Sequence, residues 1–398
     1  MKAGWQIKNL GEVCNVVGGG TPPKDKPAFY FGDIPWATVR DLKQEVITST
    51  EFKITKEAVK SSATNIIPRG NVVIATRVGL GKVCLLGQDT AINQDLRGII
   101  PLHAKTLDVR FLFWWLKSIA DLIVAEGTGA TVQGVKLPFV KSLQVPLPPL
   151  PEQQRIVGIL DDAFDGIATA QVNAEKNLQN TRALFESHLQ SVFTQRGEGW
   201  VEHKKSLADL CELIVDCEHK TAPTQEEGFP SIRTPNIGKG KLQLDGVYRV
   251  SEKTYREWTR RAEPLPGDLI LAREAPAGNV AVIPENLNVC LGQRTVLIRP
   301  SREAFEPEFL AWMLLQPQMQ QKLLAHSRGA TVQHVNMKDI RALDVGAIPS
   351  LSEQRRIVAN VGKASEEIQR LESLYQRKLA ALDELKKSLL HQAFSGAL

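Results

Sequence analysis

Pro151-Glu152-Gln153-Gln154-Arg155-Ile156-Val157 opens a long run of mixed polar and apolar residues that reaches about Phe193. The same opening returns later as Ser352-Glu353-Gln354-Arg355-Arg356-Ile357-Val358, ahead of a similar run to Phe394. Upstream of each, Gly129-Ala130-Thr131-Val132-Gln133 reappears as Gly329-Ala330-Thr331-Val332-Gln333. Matches of this length at a near-constant offset mark a duplication, and so long a period means duplicated domains rather than a solenoid. The chain reads as one unit written twice, each a globular half followed by a long helix.

Both helical runs carry an apolar stripe at alternating steps of four and three. In the first it passes through Ile156, Leu160, Ala163, Ile167, Ala170 and Ala174, then more weakly through Leu184, Leu189 and Val192. In the second it passes through Ile357, Val361, Ala364, Ile368, Leu371, Tyr375, Leu382, Leu385 and Leu389. Such a stripe is a coiled-coil seam. Asn173, Asn177 and Asn180 make the middle of the first helix a poor helix former by itself, so it needs a partner. The second helix has no domain beyond it, and packing the two stripes together requires it to run back antiparallel. Each run spans about 63 Å at 1.5 Å per residue. The expected fold is α/β (α+β), with two similar domains joined by two long antiparallel coiled-coil helices in a pseudo-twofold tandem duplication. Its boundaries are residues 1–150, 151–196, 197–350 and 351–398.

Within the halves the same order of elements recurs. Val72–Ala75 and Val83–Leu86 flank a glycine turn and read as paired strands, as do Leu269–Ala272 and Val280–Ile283 around Gly278. Ile99-Ile100 and Val296–Ile298 are later strands. Phe111 to about Glu126 and the run from Phe309 to Leu314 are buried helices, the latter with Pro307 suited to its start. Val145 to Pro151 reads as a stiff extended connector. The openings differ: Gly18-Gly19-Gly20-Thr21-Pro22-Pro23 in one half, Asp216-Cys217-Glu218-His219-Lys220-Thr221 in the other.

With 398 residues, 43% hydrophobic and 23% charged, the chain has the composition of a globular protein of two or three domains. No apolar run approaches the ~20 residues of a membrane span, and Met1–Trp5 lacks a signal-peptide core. Five scattered cysteines suit reduced thiols, so a cytoplasmic protein is expected. A net charge of +5 and a pI of about 8.8 permit a polyanionic partner without demanding one.

Catalytic patterns are missing. Gly79-Leu80-Gly81-Lys82-Val83 lacks the spacing of a phosphate-binding loop, and neither HExxH, GxSxG nor the Asn/Asp-Pro-Pro-aromatic methyltransferase signature occurs. Asp161, Asp162 and Asp165 read as favourable charge near a helix start, and His219 as a loop contact. Catalytic residues and metal ligands are therefore expected to be none.

The loops do hold side chains suited to phosphates and base edges. In the first half these are Lys24, Lys26, Tyr30, Trp36, Thr38, Arg40, Arg77, Lys82, Gln94 and Arg97. In the second they are His219, Lys220, Arg233, Asn236, Arg273, Asn279, Gln293 and Arg294. Trp36 serves equally as a core residue. The residues also leave open a two-headed scaffold that binds proteins and no nucleic acid, and an enzyme with an unrecognised site.

Taken together, the motifs resemble the specificity subunit of a type I restriction–modification enzyme. The resemblance rests on Trp5 with Leu10-Gly11-Glu12-Val13, Gly19-Gly20-Thr21-Pro22, Ile34-Pro35-Trp36, Asp216, His219 and Thr221 with Phe229-Pro230, and above all Pro146-Leu147-Pro148-Pro149-Leu150-Pro151-Glu152-Gln153 and its echo Ile348-Pro349-Ser350-Leu351-Ser352-Glu353-Gln354. It implies two target-recognition domains that each read half of a split DNA site, with the helices as a ruler. It implies double-stranded DNA as ligand, with two methyltransferase subunits and two motor–nuclease restriction subunits as partners, and no membrane. S-adenosylmethionine, ATP and Mg would sit on those partners, with no cofactor in this chain. Gln153, Arg155, Gln354 and Arg355 are the expected partner-docking residues, the helix-start charge of Glu152 and Glu353 being an alternative role for the motif.

Overall fold

The structure is a computed structural model that describes residues 4–129, 134–197, 199–325 and 334–398. Most of the repeated Gly-Ala-Thr-Val-Gln motif, residues 130–133 and 329–333, lies outside the described residues. The chain forms two compact units. One comprises Met1–Glu175 with Arg377–Leu398, the other Lys176–Gln376. The dividing lines fall inside the long helices Leu150–Thr194 and Leu351–Ser395, so each unit is built from parts of both repeats. Among the described residues no helix is long and apolar enough to cross a membrane.

In the first unit a five-stranded sheet runs in the order Cys14–Gly18, Leu96–Pro101, Val72–Ala75, Val83–Leu86, Val46–Ile47. The expected hairpin is there, with Val73 opposite Cys84. Its strands are continuous apolar runs because both faces are covered. The helix Val109–Ser118 packs Phe111 to Leu116, all buried, into the same core. Fully burying one such side chain contributes about 1.5–3 kcal/mol. A second sheet orders Phe52–Ile54, Ile34–Ala37, Thr90–Ile92 and Asn65–Ile67, and its two inner strands are parallel.

The second unit repeats the plan. Cys211–Asp216, Thr295–Pro300, Leu269–Ala272 and Val280–Val282 form one sheet; Arg249–Val250, Phe229–Ile232 and Cys290–Leu291 form the other, again with a parallel pair. The helix Pro307–Leu315 starts at Pro307 as expected and fills the core.

Three expectations need correction. The apolar run after Phe111 is two helices, Val109–Ser118 and Ala120–Ala125, because the Ser118 hydroxyl donates to the Trp115 carbonyl and competes with the helical ladder. The proline-rich connector is a strand, Gln144–Leu147, paired antiparallel with Gln6–Asn9, and the helix already begins at Leu150. The seam leaves Leu184 66% and Leu385 44% exposed. It runs through Thr181 and Phe185 rather than Leu184 in the second unit, and through Lys386 beside the expected Leu382 and Leu389 in the first. Antiparallel packing is direct in the first unit, where Arg155 reaches the Leu398 carbonyl and Gln171 reaches Asp383 and Lys386. In the second unit Arg182 pairs with Glu372 at 2.6 Å.

Candidate nucleic-acid interface

Each unit carries a cleft where its parallel strand pair ends, and the local sequence explains the position. Ile34–Ala37 runs into a short 3-10 turn, Val39–Asp41, closed by a reciprocal cap between Thr38 and Asp41. Phe229–Ile232 runs into the turn Thr234–Asn236, where the Asn236 side chain accepts from the Arg233 N–H. Strand register makes these turns equivalent: Trp36 faces Ala91 as Ser231 faces Cys290, and Ala37 faces Ile92 as Ile232 faces Leu291. Thr38 therefore corresponds to Arg233, and Gln94 to Gln293.

The first cleft, of about 670 Å³, brings together six of the ten residues expected in this half: Lys24, Tyr30, Trp36, Thr38, Arg40 and Gln94. Trp36 is only 7% exposed, donates to the Gly20 carbonyl and meets Tyr30 and Phe52 edge-on. It is a wall of the cleft with its polar atom already used. Tyr30 donates to the Pro22 carbonyl at 2.7 Å, and burial raises its pKa. Gln94 accepts from the Thr21 hydroxyl, and Arg40 projects outward beside Glu51 at 3.5 Å. Lys24 is exposed and has no ion-pair partner among the described residues. The other four lie outside the cleft lining. Lys26 covers Phe29, Lys82 sits exposed in the hairpin turn, and Arg77 approaches Asp95 at 3.9 Å. Arg97 is half-buried and donates to the Gln94 and Leu96 carbonyls; burial pulls its pKa below the ordinary guanidinium value. Its role is to hold the Gln94 loop.

In the second unit Arg233, Gln293 and Arg294 line a cleft of about 480 Å³ with Thr221, Thr224 and Tyr248. An adjoining cleft of about 720 Å³ shares Arg233 and Tyr248 and adds Asn236 and Gln243. His219 and Lys220 are exposed at the opening loop, the former 3.3 Å from Asp216. Two expected contacts, Arg273 and Asn279, are engaged inside the fold instead. Arg273 has an 11% exposed side chain that bonds Asp216 at 2.6 Å, the Val335 carbonyl and His334. Asn279 donates to the Ile237 carbonyl, while Asn236, which donates to that of Gln243, stays in the cleft lining. The Arg273 fork is spent on partners inside the fold and is not offered to a ligand.

One pair shows how the halves diverged. Val135 N–H donates to the Thr76 carbonyl as Val335 N–H donates to that of Arg273, which makes Arg77 equivalent to Glu274 and Asp95 to Arg294. The first unit pairs Arg77 with Asp95; the second pairs Glu274 with Arg294 at 2.8 Å. The ion pair persists with its sign reversed: its arginine lies outside the cleft lining in the first unit and within it in the second. Sequence reasoning missed Thr21, Phe52, Tyr248 and Gln243, because strand pairing places Phe52 and Tyr248 and loop hydrogen bonds place Thr21 and Gln243.

The helix-start residues divide. Gln153 and Gln354 are both 0% exposed, so neither is available for docking, which corrects that expectation. Gln153 accepts from the Asp108 N–H and donates to the Thr106 and Pro148 carbonyls, each at 2.9 Å. Gln354 does the same with Glu306, Ala304 and Pro349. Arg155 and Arg355 stay on the surface, paired with Glu152 and Glu306. Asp161 lies well inside its helix, not at the start. It accepts from Arg110 at 2.6 Å and from the Trp114 indole at 2.7 Å.

Burial pushes the Cys14 and Cys211 thiols up to about 12 and those of Cys84 and Cys290 to about 11. Neutral thiols are poor nucleophiles and poor metal ligands. Among the described residues no cluster of histidine, cysteine and carboxylate side chains is placed to hold a metal ion.

Comparison with known proteins follows the duplication. The family described as type I restriction modification DNA specificity domain matches residues 2–179 and again 198–374. The EcoR124I/EcoR124II specificity subunit of Escherichia coli is 37% identical over 170 residues, covering 41% of this chain and 41% of that protein. The MjaIX specificity subunit of Methanocaldococcus jannaschii is 29% identical over 276 residues, 63% of each chain. The chain thus aligns with less than two thirds of either relative's length. Among solved structures, a chain from a type I R-M system studied for its assembly and conformational transition superposes with a TM-score of 0.76 at 21% identity, covering 100% of this chain and 99% of that one. The HsdS subunit from Thermoanaerobacter tengcongensis superposes at 0.59 with 22% identity, covering 100% and 98%. These two share the fold.

Proposed function

Because the chain belongs to the type I restriction-modification DNA specificity family, with its domain present twice, we propose that it is the sequence-specific DNA-binding subunit of a type I restriction–modification complex. Each unit reads one half of a bipartite, asymmetric site. The observation that carries this reading is the pair of clefts built on one register with different side chains: Thr38, Arg40 and Gln94 in one, Arg233, Gln293 and Arg294 in the other. A shared scaffold with divergent hydrogen-bonding groups suits two unlike base sequences. Lys24 and Lys220 supply phosphate contacts at the rims.

The chain is non-catalytic in this reading. Two methyltransferase subunits, carrying S-adenosylmethionine, dock beside the exposed Arg155 and Arg355 and methylate an adenine in each half-site. Two motor–nuclease subunits, using ATP and Mg, join for cleavage. The complex works in the cytoplasm, where its DNA is.

A methylated-adenine map of cells expressing this chain with its methyltransferase, compared with cells lacking the chain, is expected to show a split motif that vanishes with the chain. An unchanged map, with the partners shown to be active, would overturn the proposal. In solution, affinity for a duplex carrying the motif is expected to fall by about 10³–10⁵ between 50 and 200 mM salt if six to ten phosphates are contacted. Salt-independent binding would point to a protein ligand.

A further inference from the structure

Arg233, Pro235 and Tyr248 line two adjoining clefts of the second unit, and two of them form a side-chain pair. The Arg233 guanidinium carbon lies 4.6 Å from the centroid of the Tyr248 ring, and both residues line both clefts. The backbone sets this up. Phe229 pairs antiparallel with Val250, and the Ser231 N–H continues the ladder to the Tyr248 carbonyl at 2.8 Å. Arg233, two residues past Ser231, then stands diagonally across from Tyr248 on the same face.

The first unit keeps half of this arrangement. There Trp36 pairs with Phe52 as Ser231 pairs with Tyr248, so Phe52 is the equivalent ring and Thr38 the equivalent of Arg233. The aromatic platform is common to both units, and the guanidinium belongs to the second alone.

The other arginine of this cleft, Arg294, is already paired with Glu274. Arg233 is exposed, as is Tyr248 at 52%, and among the described residues no carboxylate pairs with Arg233. A ring beneath a guanidinium fixes its plane through cation–π attraction and leaves the N–H edge free. That edge presents two parallel donors, and the base edge that offers two adjacent acceptors in the major groove is guanine, through N7 and O6.

We propose that Arg233, held flat by Tyr248, reads a guanine in the half-site addressed by the second unit. This rests on the DNA-reading role proposed above. Arg233 is the specificity-determining residue and Tyr248 positions it.

The test is a set of methylated-adenine maps from cells expressing the intact chain with its methyltransferase, wild type against Arg233→Ala, Arg233→Lys, Tyr248→Ala and Tyr248→Phe. One half-site of the wild-type motif is expected to contain a guanine whose preference over other bases drops by about 5- to 150-fold in Arg233→Ala. Arg233→Lys, which keeps the charge but loses the fork, relaxes the same position. Tyr248→Ala relaxes it partly, and Tyr248→Phe, which keeps the ring, restores it. The other half-site stays unchanged throughout. If Arg233→Ala fails to fold by thermal melting, Arg233→Lys is read in its place.

A guanine preference untouched in the variants, or no guanine in either half-site, would overturn the assignment. So would a uniform loss of methylation at every site without relaxed specificity, which is the mark of a phosphate contact. A wild-type map with no split motif would instead sink the specificity role itself, so the two failures are distinguishable.

Discussion

Replacing Gln153 by alanine is expected to destabilise the first unit by about 3–5 kcal/mol, since each buried group stripped of its partner costs about 1–3 kcal/mol. Three groups lose their partner at once: the Asp108 N–H and the carbonyls of Thr106 and Pro148. All lie where the long helix meets the loop leading into the helix Val109–Ser118, so the change uncouples helix from domain. Glutamate is almost as damaging, because a carboxylate accepts from Asp108 but has no proton for the two carbonyls. The measurement is denaturant unfolding of the full chain, analysed as two transitions because two units need not melt together. A shift below 1 kcal/mol in the first unit's transition would refute the stapling role. The same change at Gln354 should act on the second unit, since its three bonds are equivalent.

Arg273→Ala is expected to cost about 3–5 kcal/mol, the usual result of stripping one partner from a buried ion pair. Asp216 would keep a carboxylate with an 18% exposed side chain facing an empty volume, and the Val335 carbonyl would lose its donor. The contrast with Arg233 is diagnostic. Arg273→Ala should lower the melting temperature while leaving the methylated motif unrelaxed in whatever protein folds, whereas Arg233→Ala should do the reverse. An Arg273→Ala chain of normal stability that methylates a degenerate motif would show that Arg273 contacts bases after all.

How far the sequence reveals this molecule depends on how local each interaction is. The hairpin Val72–Ala75 with Val83–Leu86 is written in adjacent residues, two apolar runs around a glycine turn, and was readable for that reason. The long helices were readable because their seam repeats over many turns. Val145-Pro146-Leu147 was not, because its partner strand lies at the far end of the domain and nothing near the prolines announces it. Leu184 and Leu385 fit the period closely enough to be assigned to the seam, yet the helix surface has more apolar positions than its partner covers.

The cleft follows the same rule. Basic and amide side chains could be named from composition, but which of them are spent inside the fold is a question of long-range partners. Arg273 and Arg294 look alike in sequence, and only strand pairing shows that one is buried on Asp216 while the other faces the cleft. Tyr248 gave no signal because an isolated tyrosine in a loop has none. Its meaning comes from the register that sets it beside Arg233.

Phe394, near the end of the second repeat's helix, packs against Phe111 of the first repeat with ring centroids 5.2 Å apart. Phe193, near the end of the first repeat's helix, packs against Phe309 of the second at 5.4 Å. Each repeat therefore lends its helix tip to complete the other's core. This is the exchange of a domain-swapped dimer carried out within one polypeptide. One repeat on its own would leave the Phe111 or Phe309 face bare and would have to recruit a second copy to cover it, yielding two identical clefts. Carrying both repeats in one chain lifts that constraint from the clefts but not from the tips. The loops around Thr38 and Arg233 became free to differ, while the aromatic tips remained bound to fit each other's cores.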